Sequence, residues 1–365
     1  YVPSFTHSNA SPNPRFYIRG VGSGSNASFE QAVGTFVDGI YNGRGVMSRL
    51  PLFDLSSIDV QLGPQVVLYG NSTTGGAINV VSRRPADNFQ ASLDTTYEFE
   101  NQETTLQGAV NLPISDSVRL RLAGYVSDLN EGWITTSRPA NSPPNKSYDP
   151  RAHNRAGRLS VEIEPSDDLN ILLRYEIADT KDIGGTLQIV SNPLGYPFVE
   201  GNFDLDRQSG LSTPPFPRNV SEDLIYLNNQ RISAEASYSV AGGTLTSVTG
   251  YDVLDYSADQ DADMTYLSVL QFAQFEDYKQ FSQELRFASS LNESIEYIVG
   301  GYYQDSSLDR KVRTDADVAG LAPFAAYNPA LARFAPFPPF TRASYLNSDQ
   351  QSWSIFADVT FRATE

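Results

Sequence analysis

The chain has 365 residues, no cysteine, two histidines and a formal net charge of −17 at pH 7. The lack of cysteine excludes disulfides, a thiolate nucleophile and cysteine-based zinc or iron–sulfur sites. The acidic balance argues against nucleic acid as a partner, because phosphate binding needs a basic surface. No apolar run reaches about 18 residues, so no transmembrane helix is predicted, although a barrel of alternating strands also keeps its average hydropathy low.

Residues 1–88 are dense in glycine and short hydrophobic pieces, and they predict a small, loop-rich domain of mixed α/β structure. Asp38-Gly39 stands between two short hydrophobic pairs, which is the signal of a two-residue hairpin. The runs 58–62 and 77–81 are predicted strands. The runs 55–58 and 66–69 are each predicted as a helical turn.

From Phe89 onward the hydrophobic period is two, which predicts β-strands over residues 89–365. Leu169, Ile171 and Leu173, for example, alternate with polar neighbours. About ten strands are expected, starting near residues 89, 103, 117, 154, 168, 229, 243, 278, 294 and 351. Each is near or above the length that a tilted membrane strand needs.

The connections between these strands alternate between short and long. Short links are expected at 113–117, 165–168, 241–243 and 289–293, and long polar links at 128–153, 179–228, 258–277 and 306–350. Outer-membrane barrels have short periplasmic turns and long extracellular loops, so this pattern favours a transmembrane antiparallel β-barrel. The alternative is a soluble β-sandwich with one buried face.

Two further features favour the barrel. Arg, Glu and Asp occur in the middle of the polar strand faces, which suits a wide, wet lumen. Aromatic residues near strand ends suit interfacial girdles. These aromatic residues are Tyr97, Phe99, Tyr125, Tyr251, Tyr256, Tyr302 and Tyr303.

Three motif blocks occur in order in the first 85 residues. They are Ile18-Arg19-Gly20, then Val37-Asp38-Gly39, then the run 63–79 with Gly63-Pro64, Leu68-Tyr69-Gly70 and Gly75-Gly76-Ala77-Ile78-Asn79. Together they resemble the plug domain of TonB-dependent outer-membrane receptors over roughly residues 14–85. The resemblance implies a mostly β fold, with the plug (1–88) inside the lumen of a larger barrel that has 22 strands in this class. Residues 89–365 are expected to form the first half of that barrel.

Both ends of the chain are expected to be cut. The plug is expected to lack its N-terminal part, the TonB-box and any signal peptide, and the barrel its closing strands. One departure from the family pattern is that Leu62 stands where an Arg is expected before Gly63-Pro64, while Asp59 keeps the acidic residue. In the family that Arg pairs with barrel carboxylates and helps to hold the plug. The resemblance therefore leaves this role open, or gives it to Arg19, Arg83 or Arg84.

The glycines of these motifs are interpreted as turn residues that supply positive φ or close backbone approach. The plug's structural motif residues are Arg19, Gly20, Asp38, Gly39, Asp59, Gly63, Pro64, Tyr69, Gly70, Gly75, Gly76 and Asn79. In the family, the stretches after the first and second blocks point toward the extracellular vestibule. The candidate ligand-binding residues are Ser23, Gly24, Ser25, Asn26, Tyr41, Asn42 and Arg44.

Two weaker candidates lie in the predicted barrel loops. Asp255, Asp259, Asp261 and Asp263 are an acidic cluster that could hold calcium, although a solvated acidic loop is the alternative; no other metal site is expected. The segment Phe324–Phe340 is rich in aromatic residues and proline, and it either contacts a ligand or packs against its neighbours.

The function implied by the resemblance is active import of a scarce nutrient across the outer membrane of a Gram-negative bacterium, powered through the TonB complex. An iron–siderophore complex is the most common substrate class; cobalamin, haem and oligosaccharides stay open. Such a receptor is not an enzyme and needs no cofactor. Its partners are the TonB complex, the small-molecule ligand and outer-membrane lipid. Alternatives from other classes are a passive porin and a soluble carbohydrate-binding β-protein.

Overall fold

The computed structural model describes residues 3–8, 14–24, 31–63, 73–130, 135–136, 150–184, 206–207, 224–240, 242–262, 270–292, 295–318, 322, 325, 328–334 and 336–361. Every structural statement below concerns these residues. Within them, no helix is long and apolar enough to cross a membrane.

The N-terminal region, residues 3–88, contains two small sheets. Strands β1 (Phe5–Ser8) and β2 (Arg15–Ile18) pair antiparallel. Strands β3 (Val33–Val37), β4 (Ile40–Tyr41), β5 (Leu55–Leu62) and β6 (Gly76–Ser82) form a four-stranded sheet in the order β4-β3-β6-β5. A 3₁₀ turn covers Gly45–Arg49. The predicted helical turn at 55–58 is wrong, because these residues begin β5 and pair with β6; the one at 66–69 lies outside the described residues.

The predicted hairpin at Asp38-Gly39 is confirmed. Val37 pairs with Ile40 across it, and both turn residues have positive φ, 52° and 82°. These angles are those of the two-residue turns whose twist matches a hairpin. The turn fixes Asp38 at the tip, from which its side chain contacts the other sheet, as described below.

The large sheet contains ten antiparallel strands in the order β18-β17-β16-β15-β14-β12-β11-β9-β8-β7. Their bounds are β7 (Gln90–Glu98), β8 (Glu103–Ser115), β9 (Val118–Leu129), β11 (Arg151–Ser166), β12 (Leu169–Ile183), β14 (Leu224–Val240), β15 (Gly243–Asp261), β16 (Leu270–Asn292), β17 (Ile295–Ala316) and β18 (Phe340–Phe361). Two-residue strands β10 (Thr135–Thr136) and β13 (Asp206–Arg207) pair with each other in parallel. The predicted count of ten long strands is confirmed, and the order runs linearly from β7 to β18.

The connections also follow the predicted alternation of short and long links. Residues 116–117, 167–168, 241–242 and 293–294 separate strands closely, whereas 130–150, 184–223, 262–269 and 317–339 are long. Two of the predicted long links are shorter than expected. Strands β15, β16, β17 and β18 extend into the ranges 258–277 and 306–350. The hydrophobic alternation stops there, but the strands continue because backbone pairing does not require an apolar face.

The large sheet has an inverted distribution of polarity. Polar and charged side chains are buried on the face that contacts the N-terminal region, here called the inner face. They include Arg121, Arg158, Glu162, Arg174, Arg231, Asp252, Glu276 and Gln280. Apolar side chains are exposed on the opposite, outer face. They include Leu122, Leu159, Leu173, Ile177, Ile232, Phe281, Leu285, Val299, Trp353 and Ile355. This arrangement is that of a sheet whose outer face meets lipid.

Candidate functional site

The contact between the N-terminal region and the inner face is dominated by charge pairs. Arg44 precedes the 3₁₀ turn and binds Glu276 of β16, with Nε–Oε2 at 3.0 Å and Nη2–Oε1 at 2.9 Å. The side chain of Glu276 is fully buried and that of Arg44 is 7% exposed. Arg310 Nε and Gln274 Nε2 donate to the same carboxylate at 3.1 and 2.7 Å. Glu276 therefore accepts from two guanidiniums and one amide.

The residues just before Arg44 are bound in the same way. Asn42 Oδ1 accepts a hydrogen bond of 2.6 Å from Arg231 of β14, which also binds Asp252 of β15 at 2.7 Å. The carbonyl of Tyr41 accepts from Gln280 Nε2 at 2.8 Å. A fully buried backbone carbonyl and a buried amide are thereby satisfied by side chains of the large sheet.

Asp38 at the hairpin tip contacts both the four-stranded sheet and the large sheet. One carboxylate oxygen accepts from the backbone N–H of Ser82 at 2.8 Å, and the other lies 3.7 Å from Nε of Arg174 on β12. The hairpin is thus fixed to its own sheet and paired across the interface. Gly39 beside it has only Val248 Cγ1 near its missing Cβ position, at 3.7 Å.

The segment after the 3₁₀ turn pairs with the early strands of the large sheet. Arg49 lies 3.2 Å from Asp182 on β12, and Asp54 binds Arg121 on β9 through two bonds of 2.8 and 2.5 Å. Arg158 on β11 stacks over the ring of Phe53 at 4.5 Å and donates to the carbonyl of Phe53 at 3.3 Å. Each pair is largely shielded from water, so the interactions are stronger than on an open surface.

Arg84, near the end of the N-terminal region, makes a further contact with the large sheet. It donates to Glu162 at 2.8 Å, to Glu235 at 3.0 Å and to Asn170 at 2.7 Å. Burial disfavours its charged form, but the hydrogen bond to Glu162 and the charges of Glu235 and Glu162 outweigh this and raise the pKa of Arg84. Its neighbour Arg83 donates instead to the carbonyl of Leu55 within the N-terminal region.

The N-terminal region and the fold of the whole chain are both similar to known proteins. Residues 1–77 match the model of the TonB-dependent receptor plug domain. The ferric yersiniabactin uptake receptor FyuA of Yersinia pestis is similar in structure, with a TM-score of 0.68, 14% identity, and coverage of 98% of this chain and 57% of that one. This chain has the plug domain and the fold of TonB-dependent receptors.

Two other solved receptors show the same likeness to this plug and large sheet. BauA, the ferric preacinetobactin receptor of Acinetobacter baumannii, gives a TM-score of 0.62 at 13% identity, covering 100% of this chain and 58% of that one. FpvA of P. aeruginosa, solved with heterologous pyoverdines, gives 0.66 at 11% identity, covering 100% and 52%. The chain thus spans about half the length of these receptors, and at such identities the likeness is one of fold.

The candidate ligand-binding residues fall into three groups in the structure. Tyr41, Asn42 and Arg44 lie together, buried against β14 and β16. Ser23 lies apart and its hydroxyl accepts from the backbone N–H of Ala32, while Gly24 has a φ of 64°. Ser25 and Asn26 lie outside the described residues. The partners Glu276, Arg231 and Gln280 could not be identified from the sequence, because no local pattern marks one polar residue of a strand as a contact.

Leu62 stands where the family pattern expects an arginine that pairs with carboxylates of the barrel. Of the three arginines predicted as alternatives, Arg84 contacts carboxylates of the large sheet, and its role in holding the plug stays a prediction. Leu62 packs with the apolar core of the plug, formed by Ile18, Val33, Ile78 and Val80. Arg19, another alternative, has a φ of 51° and donates its backbone N–H to Ser4.

The structural motif residues are placed as follows. Gly20, Gly39, Gly63 and Gly76 have positive φ, which agrees with the prediction for these glycines. Gly75 does not have positive φ, but a Cβ there would lie 3.2 Å from the carbonyl oxygen of Ala32, which is the close backbone approach that the prediction gave as its alternative. Asn79 lies on β6 opposite Asp59 of β5. Pro64, Tyr69 and Gly70 lie outside the described residues.

The predicted calcium cluster is wrong for the part that the structure describes. Asp255, Asp259 and Asp261 lie on strand β15 and not in a loop, and Asp263 lies outside the described residues. Residues four apart on a strand are about 13 Å apart, so Asp255 and Asp259 cannot share one ion. Among the described residues no group of acidic or histidine side chains is arranged to hold a metal.

The aromatic segment is described only in part. Phe324 and the side chain of Phe334 lie outside the described residues. Phe337 and Phe340 are 54% and 51% exposed. Both rings are thus about half exposed, and ligand contact and packing both stay predictions for this segment.

Proposed function

We propose that this chain forms the plug and part of the barrel of an outer-membrane transporter that imports a scarce nutrient with energy from the TonB complex. The division at residue 88, with the plug before it and the barrel after it, is part of this proposal. So is the location in the outer membrane of a Gram-negative bacterium, which is supported by the apolar outer face of the large sheet.

The observation that carries the proposal is the set of charge pairs between the plug and the inner face. Arg44, Arg49 and Asp54 bind partners on β16, β12 and β9, and Arg84 binds partners on β11, β12 and β14. A plug held in this way fills the space beside the sheet and blocks passive flow. Import then requires energy to break or shift these contacts, which argues against a passive porin.

The proposed substrate is an iron–siderophore complex. It is supported by the structural similarity to the ferric yersiniabactin uptake receptor and to the ferric preacinetobactin receptor. Cobalamin, haem and oligosaccharides are the alternatives by the same mechanism. The proposed ligand contacts are Ser23, Gly24, Ser25 and Asn26 together with Tyr41, Asn42 and Arg44, and no catalytic role is proposed for any residue.

The decisive experiment uses the full-length protein in its natural host. A strain lacking it is grown with iron supplied only as single siderophores, haem or free iron, and with cobalamin or glycans as separate panels. Uptake of the labelled compound is then measured with and without TonB. We expect TonB-dependent uptake of one iron–siderophore. TonB-independent, non-saturable entry of small solutes would instead indicate a porin.

A second measurement addresses the soluble alternative. The full-length protein is expected to fractionate with the outer membrane and to change its gel mobility on heating. Recovery as a soluble periplasmic monomer without detergent would contradict the proposal and favour a soluble carbohydrate-binding β-protein.

A further inference from the structure

Two cavities lie between the plug and the large sheet, on either side of one plug segment. This segment, residues 50–55, connects the 3₁₀ turn to β5 and is here called the strap. The first cavity has a volume of about 250 Å³ and the second has a volume of about 350 Å³. Leu52 and Leu55 line both cavities. The strap is therefore the wall that separates them.

The first cavity begins at the proposed ligand contacts. Asn42, which is one of these contacts, lines it together with Glu176 and Arg231 of the large sheet. The wall that the plug contributes is mainly apolar and includes Phe16 and Val80. This cavity thus extends from the level of Asn42 to the strap.

The second cavity continues on the other side of the strap and has a polar lining. Asp54 and Arg83 of the plug line it, as do Ser92 of β7 and Gln107 of β8. Arg83 shortly precedes β7, which begins at the end of the sheet that carries the short connection 116–117. Short connections face the periplasm in outer-membrane barrels. The two cavities together thus lead along the plug from the proposed ligand contacts toward the periplasmic end.

Two residues hold the strap on the large sheet. Phe53 is 2% exposed, and the guanidinium of Arg158 lies 4.5 Å from the centre of its ring. Asp54 binds Arg121 through both carboxylate oxygens and has a φ of 49°. A residue other than glycine is strained at such an angle and keeps it where surrounding contacts hold it. Loss of these contacts would therefore release the strap.

The opposite side of the plug is closed by an apolar contact. Val46 and Met47 of the 3₁₀ turn pack into a cluster of buried apolar side chains on the inner face. The cluster spans the neighbouring strands β14 to β17 and includes Leu227, Leu254, Tyr278 and Leu308. A Cβ on Gly43 would overlap the hydroxyl of Tyr278, so the plug backbone lies directly on the sheet here. Separation on this side exposes apolar area to water, and it is thus more costly than release of a strap that already has a cavity on each side.

We propose that the substrate passes the plug on the strap side, through the first cavity and then the second. Movement of the strap joins the two cavities, while the 3₁₀ turn stays bound to β14 to β17. This route follows from the two cavities, the strained aspartate between them and the apolar contact opposite. The proposal deepens the proposed function and rests on it, since it names the side on which the imported substrate crosses.

Cysteine labelling tests the route, and the 365 residues contain no cysteine that would interfere. Ala109 lines the second cavity and Ser306 lies on the inner face of β17, and both are 6% exposed. Each is changed to cysteine in a full-length receptor that has no other cysteine. Intact cells supplied with the panel of iron–siderophores are treated with a hydrophilic maleimide that does not cross the membrane. With the TonB complex present, Ala109→Cys should react roughly tenfold faster than without it, whereas the rate of Ser306→Cys should not change.

Thiol cross-links test which contact must open. Asp54→Cys with Arg121→Cys replaces the pair that holds the strap, and a short, reducible linker between the two thiols then fixes it. Val46→Cys with Leu254→Cys gives a matched link within the apolar contact. The first link should abolish TonB-dependent uptake of the labelled iron–siderophore, and reduction should restore it. The second link should leave uptake unchanged.

Three results would overturn the route: equal acceleration at Ala109→Cys and Ser306→Cys, acceleration at neither, or loss of uptake on linking Val46→Cys to Leu254→Cys. If Ala109→Cys does not reach the outer membrane, Gln107→Cys replaces it, because Gln107 also lines the second cavity. A receptor without TonB-dependent uptake of any compound would refute the proposed function. A receptor that still imports its substrate while the strap is linked to the sheet would refute only this route.

Discussion

Arg44 and Glu276 are separated by 232 positions in the sequence and form a bidentate ion pair in the interface between plug and large sheet. The carboxylate is fully buried, and its charge is compensated by Arg44 and Arg310, while Gln274 donates a hydrogen bond to it. A guanidinium bound on two nitrogens in this way has few donors left for a ligand. The pair therefore gives Arg44 a second possible role, as a residue that holds the plug.

The two roles of Arg44 are separable by mutation. Arg44→Ala should destabilise the plug by about 1–3 kcal/mol, below the ~3–5 kcal/mol of a fully orphaned buried charge, because Arg310 and Gln274 still bind Glu276. Glu276→Gln should have a similar effect, and the two should not add. Denaturant unfolding of the full-length receptor gives the free energies, and uptake of a large antibiotic reports a loosened plug.

If Arg44 instead contacts ligand directly, Arg44→Ala should weaken substrate binding while Glu276→Gln leaves it unchanged. Binding of the identified substrate to whole cells, normalised to receptor abundance, distinguishes the cases. Equal losses of affinity in both variants would indicate that the ion pair acts through plug position. Tyr41→Ala is tested alongside, since it removes a fully buried side chain and keeps the carbonyl that Gln280 binds.

Arg84 and Arg83 provide a matched pair of adjacent arginines. Arg84→Ala removes hydrogen bonds to Glu162, Glu235 and Asn170, whereas Arg83→Ala removes one to a carbonyl of the plug itself. Since Arg84 is 40% exposed, solvent screening limits the expected loss to about 1 kcal/mol. Limited proteolysis of the plug should be faster in Arg84→Ala than in Arg83→Ala. Equal rates would contradict the role given to Arg84.

Two adjacent glycines should respond differently to alanine. Gly76 has a φ of 141°, and a Cβ there would lie 2.4 Å from the carbonyl oxygen of Gln61. At Gly75 the nearest atoms would be 3.2 Å away. Gly76→Ala should cost about 1–3 kcal/mol and lower outer-membrane abundance. Gly75→Ala should cost under about 1 kcal/mol. Quantitative immunoblots of outer-membrane fractions measure this, and a greater loss in Gly75→Ala would contradict the assignment.

His7 should make the plug sensitive to acid. Burial, and then the charge of Arg49, lower the pKa of His7 below 6.5. The unfolded chain therefore binds a proton more readily than the folded plug, and stability is lost as the pH falls below 6.5. The effect is small, because the side chain of His7 is exposed to solvent. Hydrogen exchange over residues 5–18 should accelerate on acidification in the wild type more than in His7→Gln. An equal acceleration of hydrogen exchange in the wild type and in His7→Gln would show that His7 does not cause the acid sensitivity.

The sequence predicted the elements that depend on local pattern. Alternation gave the ten strands, and the turn chemistry of Asp38-Gly39 gave the hairpin, because both signals lie within a few residues. The ends of β15 to β18 that lie next to the connections 262–269 and 317–339 were not predicted, because the hydrophobic alternation stops before the backbone pairing does. Glu276 was not predicted either, because any of several acidic strand residues could meet Arg44, and only the register of distant strands selects one.

The contacts of the plug also imply an order of assembly. Asp54 pairs with β9, Arg49 with β12 and Arg44 with β16, at separations of 67, 133 and 232 residues. Within the segment from Arg44 to Asp54, residues earlier in the chain thus contact later strands of the sheet. If strands join in chain order, the short closures form first, because longer loops cost more entropy to close. The plug would then be secured from Asp54 toward Arg44, and its outermost pair would form only when β16 is in place.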